Sequence, residues 1–302
     1  MEKPYILHML TTAKNLSPFD VNMAMDAGWV SAVPYINVEP GEVQGLVQDA
    51  IFSRSTKNLK RTAIFIGGRD TKQAMDMLKA AKQAMVPPFE VSVFADPSGA
   101  FTTAAGMMAA VERELNSKFN TGLTGKNMIA LGGTGPVGQA AAVIAAKAGA
   151  NVRIIGRQLE KAQGIADMCN TEFGEGKIAI AAGADADKAE YIKTADIVVA
   201  TGAAGIELLS AELVASAPQL KVAADVNAVP PAGIAGVDAM QNGTPINGSG
   251  SGAVGIGALA IGNIKYQAQN RLLKRMIETN KPVYLHFEHA FEVAQDYIKS
   301  AS

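Results

Sequence analysis

The sequence predicts an α/β fold in two domains. Three observations carry that expectation. Short apolar runs alternate with helical patterns through the first third of the chain, a glycine turn joins an apolar run to an alanine-rich run near the middle, and a polar, glycine-bearing stretch at 116–125 separates the two regions.

Length and composition set the bounds. The chain has 302 residues, 48% of them hydrophobic, enough for two domains and a sizeable core. A formal charge of −1 gives no reason to expect nucleic acid or a membrane surface as the main partner. Cys169 is the single cysteine, so an intramolecular disulfide and a cysteine-rich metal site are excluded; it reads as a small buried apolar side chain. The opening MEKPYILHML has too short an apolar run for a signal peptide, and no apolar stretch reaches the roughly 20 residues a spanning helix needs. The expectation is a soluble cytoplasmic protein.

In chain order, 5–10 reads as a strand. Ser17 can cap the helix that follows, with Pro18 at its first position and Gly28 stopping it. Residues 32–36 make a second strand and 40–52 a second helix. The run TAIFI at 62–66 is a strand, and 71–85 is a helix with Ala74, Met75, Leu78 and Ala81 on one stripe, broken by Pro87-Pro88. A strand at 91–95 and a helix over 101–115 close this region. After the polar junction come strands at 128–131, 152–155, 178–181, 197–200 and 222–225, with helices over 139–148 and 158–173. Residues 233–257, rich in Gly, Ser, Asn and Pro, read as a long loop with one short strand, and helices follow over 256–279 and 286–299.

The most informative stretch is NMIALGGTGPVG. Gly133, Gly135 and Gly138 stand at G-x-G-x-x-G spacing, with Thr134, Pro136 and Val137 between them, after a strand and before a helix. That context reads as a Rossmann-type dinucleotide site: the glycines allow the tight turn, the approach of backbone to pyrophosphate and close helix packing, and the helix N-terminus favours phosphate. The plain alternative is a structural glycine turn. An NAD site places an acid near the end of the next strand, but here Ile155-Gly156-Arg157-Gln158 has none before Glu160. Arg157 offers a fork for a 2′-phosphate, and Lys161 adds charge one turn later. This favours NADP over NAD; a solvated basic helix end is the alternative.

Other loops leave strands at the same edge. Thr201, Gly202 and Ala203 could contact ribose or nicotinamide or form only a tight turn, and Asn227 in DVNAVPP offers donor and acceptor groups. Asp20 lies in a first helical turn, where helix-dipole stabilisation is the plain alternative to a functional role. Lys265 interrupts the apolar GIGALAIGNIK as either a snorkelling side chain or a placed charge. His8, His286 and His289 are scattered without a third ligand, and no metal site is expected.

The chain resembles the bacterial methylene-tetrahydromethanopterin dehydrogenases along nearly its whole length. The resemblance is carried by HMLTTAKNLSPFDVNMAMDAG, the IFSR and AIFIGG runs, VPPFEVSVFADPSGAFTTAAG, GGTGPVGQAAA, DVNAVPPAGIAGVD and GIGALAIGNIKYQ. It implies a pterin-binding domain over 1–118, rejoined by about 262–302, and an NADP-binding Rossmann domain over 119–261. It implies reversible hydride transfer from the methylene pterin to NADP, a cleft that holds two rings together, and a homo-oligomer. It further implies that Asp20 and Lys265 lie near the pterin, Asp20 offsetting developing positive charge and Lys265 keeping it ionised. Thr102 and Thr103 either bind pterin edges or cap a helix. A methylene-tetrahydrofolate dehydrogenase, an NADP-binding redox sensor without turnover and a shikimate-like dehydrogenase are the alternatives. No Tyr-x-x-x-Lys pattern suggests cyclohydrolase activity.

Overall fold

Apolar runs and glycine stops lay out the first elements: β1 (Ile6–Leu10), α1 (Pro18–Asp26), β2 (Ser31–Tyr35), α2 (Val43–Phe52), β3 (Thr62–Ile66), α3 (Thr71–Gln83), β4 (Ser92–Ala95) and α4 (Ala100–Phe119). The structure is a computed structural model that describes residues 2–301. Pro18 opens α1, but Ser17 makes no side-chain cap; Gly28, at φ +101, ends the turn. The helix expected over 40–52 begins as a separate 3-10 turn, Pro40–Glu42, in which Glu39 and Glu42 cap each other's backbone. On α3, Ala74, Leu78 and Ala81 are buried, but Thr71 and Met77 complete that face and Met75 is half-buried. The stretch expected to be a junction at 116–125 is helical as far as Phe119.

The chain continues with β5 (Asn127–Leu131), α5 (Pro136–Lys147), β6 (Asn151–Gly156), α6 (Leu159–Met168), β7 (Ala181–Ala184), α7 (Lys188–Ile192), β8 (Ile197–Ala200), α8 (Ala211–Ala215) and β9 (Val222–Asp225). Then come β10 (Asn242–Pro245), β11 (Val254–Ile256), α9 (Ala258–Glu278), β12 (Tyr284–Leu285) and α10 (Phe287–Ala301). A π-helical turn, Cys169–Phe173, extends α6. Two expectations are corrected. The strand placed at 178–181 begins only at Ala181, where its residues align with β6. The loop expected over 233–257 holds two strands, because β11 pairs with β9 and β10 folds back on β11.

The chain divides into two units, one formed by residues up to Thr102 with Tyr266–Val293, the other by Thr103–Lys265 with the residues from Ala294 on. The first unit holds a five-stranded sheet of order β12-β4-β3-β1-β2, parallel throughout. All five residues of β3 are buried, and Phe65 meets Phe94 edge-on at 5.5 Å. Such a pair contributes about 1 kcal/mol beyond area burial. Parallel strands covered on both faces read as continuous apolar runs, which is why TAIFI shows no alternation.

The second unit holds a seven-stranded sheet of order β10-β11-β9-β8-β5-β6-β7, parallel except for β10. Side chains reach both of its margins. On β10, Arg113 bonds the Asn242 side chain and Lys118 donates to the Gly243 carbonyl. On β7, Arg153 donates to the Ala182 carbonyl and lays its guanidinium over Tyr191, 4.4 Å from the ring centre. Among the described residues no helix is long and apolar enough to cross a membrane. Cys169 is buried, and burial pushes its thiol pKa up to about 12, so it is an inert core residue.

Candidate active site

In the seven-stranded sheet the chain runs outward from β5 in one direction through β6 and β7, then returns to build β8, β9 and β11 on the other side. This is the doubly wound order, and its switch point lies between β5 and β8, where such sheets take ligands at the carboxyl ends of their strands. The glycine turn leaves β5 at that point.

The glycines do different things. A Cβ on Gly133 would stand 2.7 Å from the Ala130 carbonyl, and one on Gly138 would stand 2.5 Å from Gly133 Cα and 2.7 Å from Thr201 Oγ1. Internal packing therefore excludes any side chain at both positions. Gly132 has φ +67, and its added Cβ would meet Gly202 Cα at 2.7 Å, so the turn and the loop after β8 touch backbone to backbone. Gly135 differs. Its φ is −81, and no protein atom would lie closer than 3.5 Å to an added Cβ. Neither packing nor backbone conformation requires glycine there, whereas the close approach of a pyrophosphate does. Gly135 is also the N-cap of α5 and has no side chain to cap it, and Pro136 occupies the first turn, as suits an anion-facing helix end. Gln139 Nε2 donates to the Thr134 carbonyl at 2.8 Å and steadies the turn. These residues fit a dinucleotide.

Arg157 follows the last residue of β6, is exposed, and with Lys161 makes no ion pair among the described residues. Gly156 just before it lets Thr134 pack in, 2.9 Å from where a Cβ would be. No carboxylate ends the strand; Glu160 lies in the first turn of α6.

On the other side of β5, Thr201 is buried with Oγ1 donating to the Leu131 carbonyl at 3.1 Å. Gly202 packs on Leu208, and Ala203 is exposed. Asn227 is also buried, and its side chain is spent on backbone: Oδ1 accepts from Gly205 and Val229, and Nδ2 donates to the Pro231 carbonyl. Sequence reasoning passed over Asp225, which ends β9 buried and accepts three backbone N–H groups.

The first unit repeats the pattern on a smaller scale. Its order also reverses next to β1, between β1 and β3. Asp20 lies in the first turn of α1, which follows β1; it is 3% exposed and accepts Gln269 Nε2 at 2.8 Å. Gln269 on α9 is fully buried and was not singled out by sequence; an uncharged polar residue in an amphipathic helix carries no pattern signal. Asp96 follows β4 and is fully buried. Its Oδ1 accepts the N–H groups of Phe101 and Thr102, and its Oδ2 accepts the Thr102 hydroxyl at 2.6 Å. Thr102 is therefore buried and turned to Asp96, while Thr103 is half-buried on α4.

Lys265 belongs to the second unit, half-buried on α9, one helical turn before Gln269. Its backbone is held close to α4, where a Cβ on Gly106 would lie 3.0 Å from Lys265 N. His286 and His289 lie with ring centres 4.6 Å apart, and burial lowers the His289 pKa. Among the described residues no group of three or more His, Cys, Asp or Glu side chains could hold a metal ion.

A doubly wound sheet with a glycine turn at its switch point is the Rossmann-type arrangement of NAD(P)-dependent dehydrogenases, and the other unit carries a parallel α/β sheet of its own. Within that class the chain belongs to the methylenetetrahydromethanopterin dehydrogenase family. The family model "Methylene-tetrahydromethanopterin dehydrogenase, N-terminal" matches residues 18–98. The NAD(P)-dependent methylenetetrahydromethanopterin dehydrogenase of Methylorubrum extorquens is 47% identical over 290 residues, 96% of this chain and 97% of that protein. The Bifunctional protein MdtA of the same organism is 34% identical over 96% of this chain and 98% of its own length. Among solved structures, quinate dehydrogenase from Corynebacterium glutamicum in complex with NAD has a TM-score of 0.54 at 14% identity, covering 96% of this chain and 98% of that one, a likeness of fold alone.

Proposed function

We propose that this chain catalyses reversible hydride transfer between methylene-tetrahydromethanopterin and NADP, giving methenyl-tetrahydromethanopterin, in the oxidation of formaldehyde-derived one-carbon units. Family membership along almost the whole chain carries the reading. The second unit takes the dinucleotide: the backbone from Gly133 to Gly138, with Thr134, Pro136 and Val137, cradles the pyrophosphate. Arg157 and Lys161 take the 2′-phosphate, which makes NADP the preferred cofactor and NAD the second choice. Thr201, Gly202, Ala203 and Asn227 form the nicotinamide side. When bound, the dinucleotide supplies the ring carbon that accepts or returns the hydride.

The first unit takes the pterin carrier. The reaction builds positive charge on the pterin, and a buried carboxylate beside it stabilises that charge without moving a proton. Asp20 has this role, held in place by Gln269. Within this unit Thr102 acts by fixing the start of α4; Lys265 and Thr103, each one residue past the unit's bounds on α9 and α4, are proposed for polar edges of the carrier. Because no acid–base pair is needed, the catalytic contribution comes from Asp20 and from holding the reacting groups in near-attack contact. The working protein is a homo-oligomer in the cytoplasm.

The test is direct. Purified protein is mixed with NADP or NAD and with methylene-tetrahydromethanopterin or methylene-tetrahydrofolate, and nicotinamide absorbance is followed. The expected outcome is fastest reduction with NADP and the methanopterin carrier; no absorbance change with either carrier refutes the reading.

A further inference from the structure

We propose that Asp225 and Asn227 form a latch that positions the nicotinamide half of the cofactor by fixing the loops after β8 and β9, with Ile206 and Val229 as the apolar wall those loops present. The inference rests on the reading that the second unit binds NADP.

The strand order places the latch. β5 carries the glycine turn, β6 lies on one side of it with Arg157 at its end, and β8 and β9 lie on the other. A dinucleotide whose pyrophosphate sits on the turn and whose 2′-phosphate meets Arg157 has its adenosine half over β6. Its nicotinamide half then lies over the ends of β8 and β9.

Those two loops are tied together by two side chains. Asp225 Oδ1 accepts Asn227 N at 2.9 Å, and Oδ2 accepts Gly233 N at 2.6 Å and Ile234 N at 3.1 Å. The carboxylate thus closes the loop after β9 on itself. Gly233 permits this, since an added Cβ would lie 2.8 Å from Asp225 Oδ1. Asn227 carries the tie across: Oδ1 accepts Val229 N at 2.9 Å within its own loop and Gly205 N at 3.2 Å in the loop after β8, while Nδ2 donates to Pro231 O at 2.8 Å. Leu208 N and Leu209 N donate to Gly233 O at 2.8 and 3.0 Å and close the far side.

A buried carboxylate is an expensive way to hold a surface loop. Burial raises the Asp225 pKa even against three N–H donors. The result is a tied pair of loops that each turn an apolar side chain outward, Ile206 at 51% and Val229 at 53% exposed, with the exposed Glu207 next to Ile206. The two loops meet here, because a Cβ on Gly205, the residue before Ile206, would lie 3.9 Å from Val229 Cγ1. Neither side chain helps the core, and a planar aromatic ring is the ligand such a wall suits.

The test separates the two halves of the cofactor. Affinity is measured for NADP and for 2′-phospho-ADP-ribose, which lacks nicotinamide, together with kcat and thermal midpoint. In Asn227→Ala the expected result is kcat lower by about 10- to 100-fold, as for a misplaced reacting ring, with affinity for the nicotinamide-free fragment unchanged. Asn227→Asp, which keeps the acceptor oxygen and loses donation to Pro231, should fall between wild type and Asn227→Ala. Val229→Ser leaves the latch intact and removes nothing buried, so it should fold even if the first variant does not; it should raise KM for NADP and lower kcat with fragment affinity unchanged. Unchanged kcat in Val229→Ser, or fragment affinity falling in parallel with kcat in Asn227→Ala, overturns the latch. Failure of the wild-type protein to bind the fragment instead overturns the NADP reading beneath it.

Discussion

Asp96 in the first unit and Asp225 in the second are built alike and used differently. Each follows or ends a parallel strand, each is buried, and each accepts backbone N–H groups downstream. Asp96 faces the start of α4, a helix of 20 residues, and satisfies N–H groups that the helix itself cannot. No helix follows Asp225; it draws an irregular loop closed. The same chemistry therefore anchors the start of a long helix in one case and shapes an irregular loop in the other. The first is a stability device and the second a positioning device.

Substitutions can break or sharpen that contrast. The largest effect is expected at a third buried carboxylate, Asp20. Asp20→Asn can still accept from Gln269 but carries no charge, and should lower kcat by about 100- to 1,000-fold in steady-state assays with the fold intact by circular dichroism. Full turnover with unchanged carrier affinity would remove Asp20 from the chemistry. Next come the glycines. Gly138→Ala drives a methyl group into Gly133 and should lose about 1–3 kcal/mol of stability in urea titration. Gly135→Ala should keep its stability yet bind NADP at least about tenfold more weakly, a free-energy loss of about 1.4 kcal/mol. Asp96→Ala should cost about 1–2 kcal/mol in thermal unfolding while kcat of the folded protein at saturating NADP stays at the wild-type value. If kcat fell by the roughly 10- to 100-fold expected of a broken latch, Asp96 and Asp225 would not differ in kind. The smallest change is expected for Arg157→Ala: the NADP-to-NAD ratio of kcat/KM should fall about tenfold at low salt and less at high salt.

The glycine turn and most parallel strands were legible because their causes are local. Pro18, the run TAIFI and the G-x-G-x-x-G spacing each specify backbone geometry from neighbouring residues alone. What escaped the sequence depends on partners far along the chain. β7 is AAGA, without a branched or aromatic residue, and is a strand because β6 lies beside it. β10 and β11 lie in a Gly- and Ser-rich stretch and exist through pairing with β9. β12 is two residues long and rests on β4. Within the candidate site, Gly135 and Arg157 could be read from spacing. Gln269 and the loop closure by Asp225 could not, because a hydrogen bond across 249 positions, or one that folds a loop onto a carboxylate, leaves no periodic trace.

The cations at the margins of the seven-stranded sheet have a consequence of their own. An outermost strand offers unpaired main-chain groups to any extended peptide that drifts past. Lys118 and Arg153 each occupy a carbonyl on an outermost strand, and Pro245 removes an amide donor from β10. Fibril-like stacking of one molecule on the next through strand addition is thereby discouraged at both ends of this sheet.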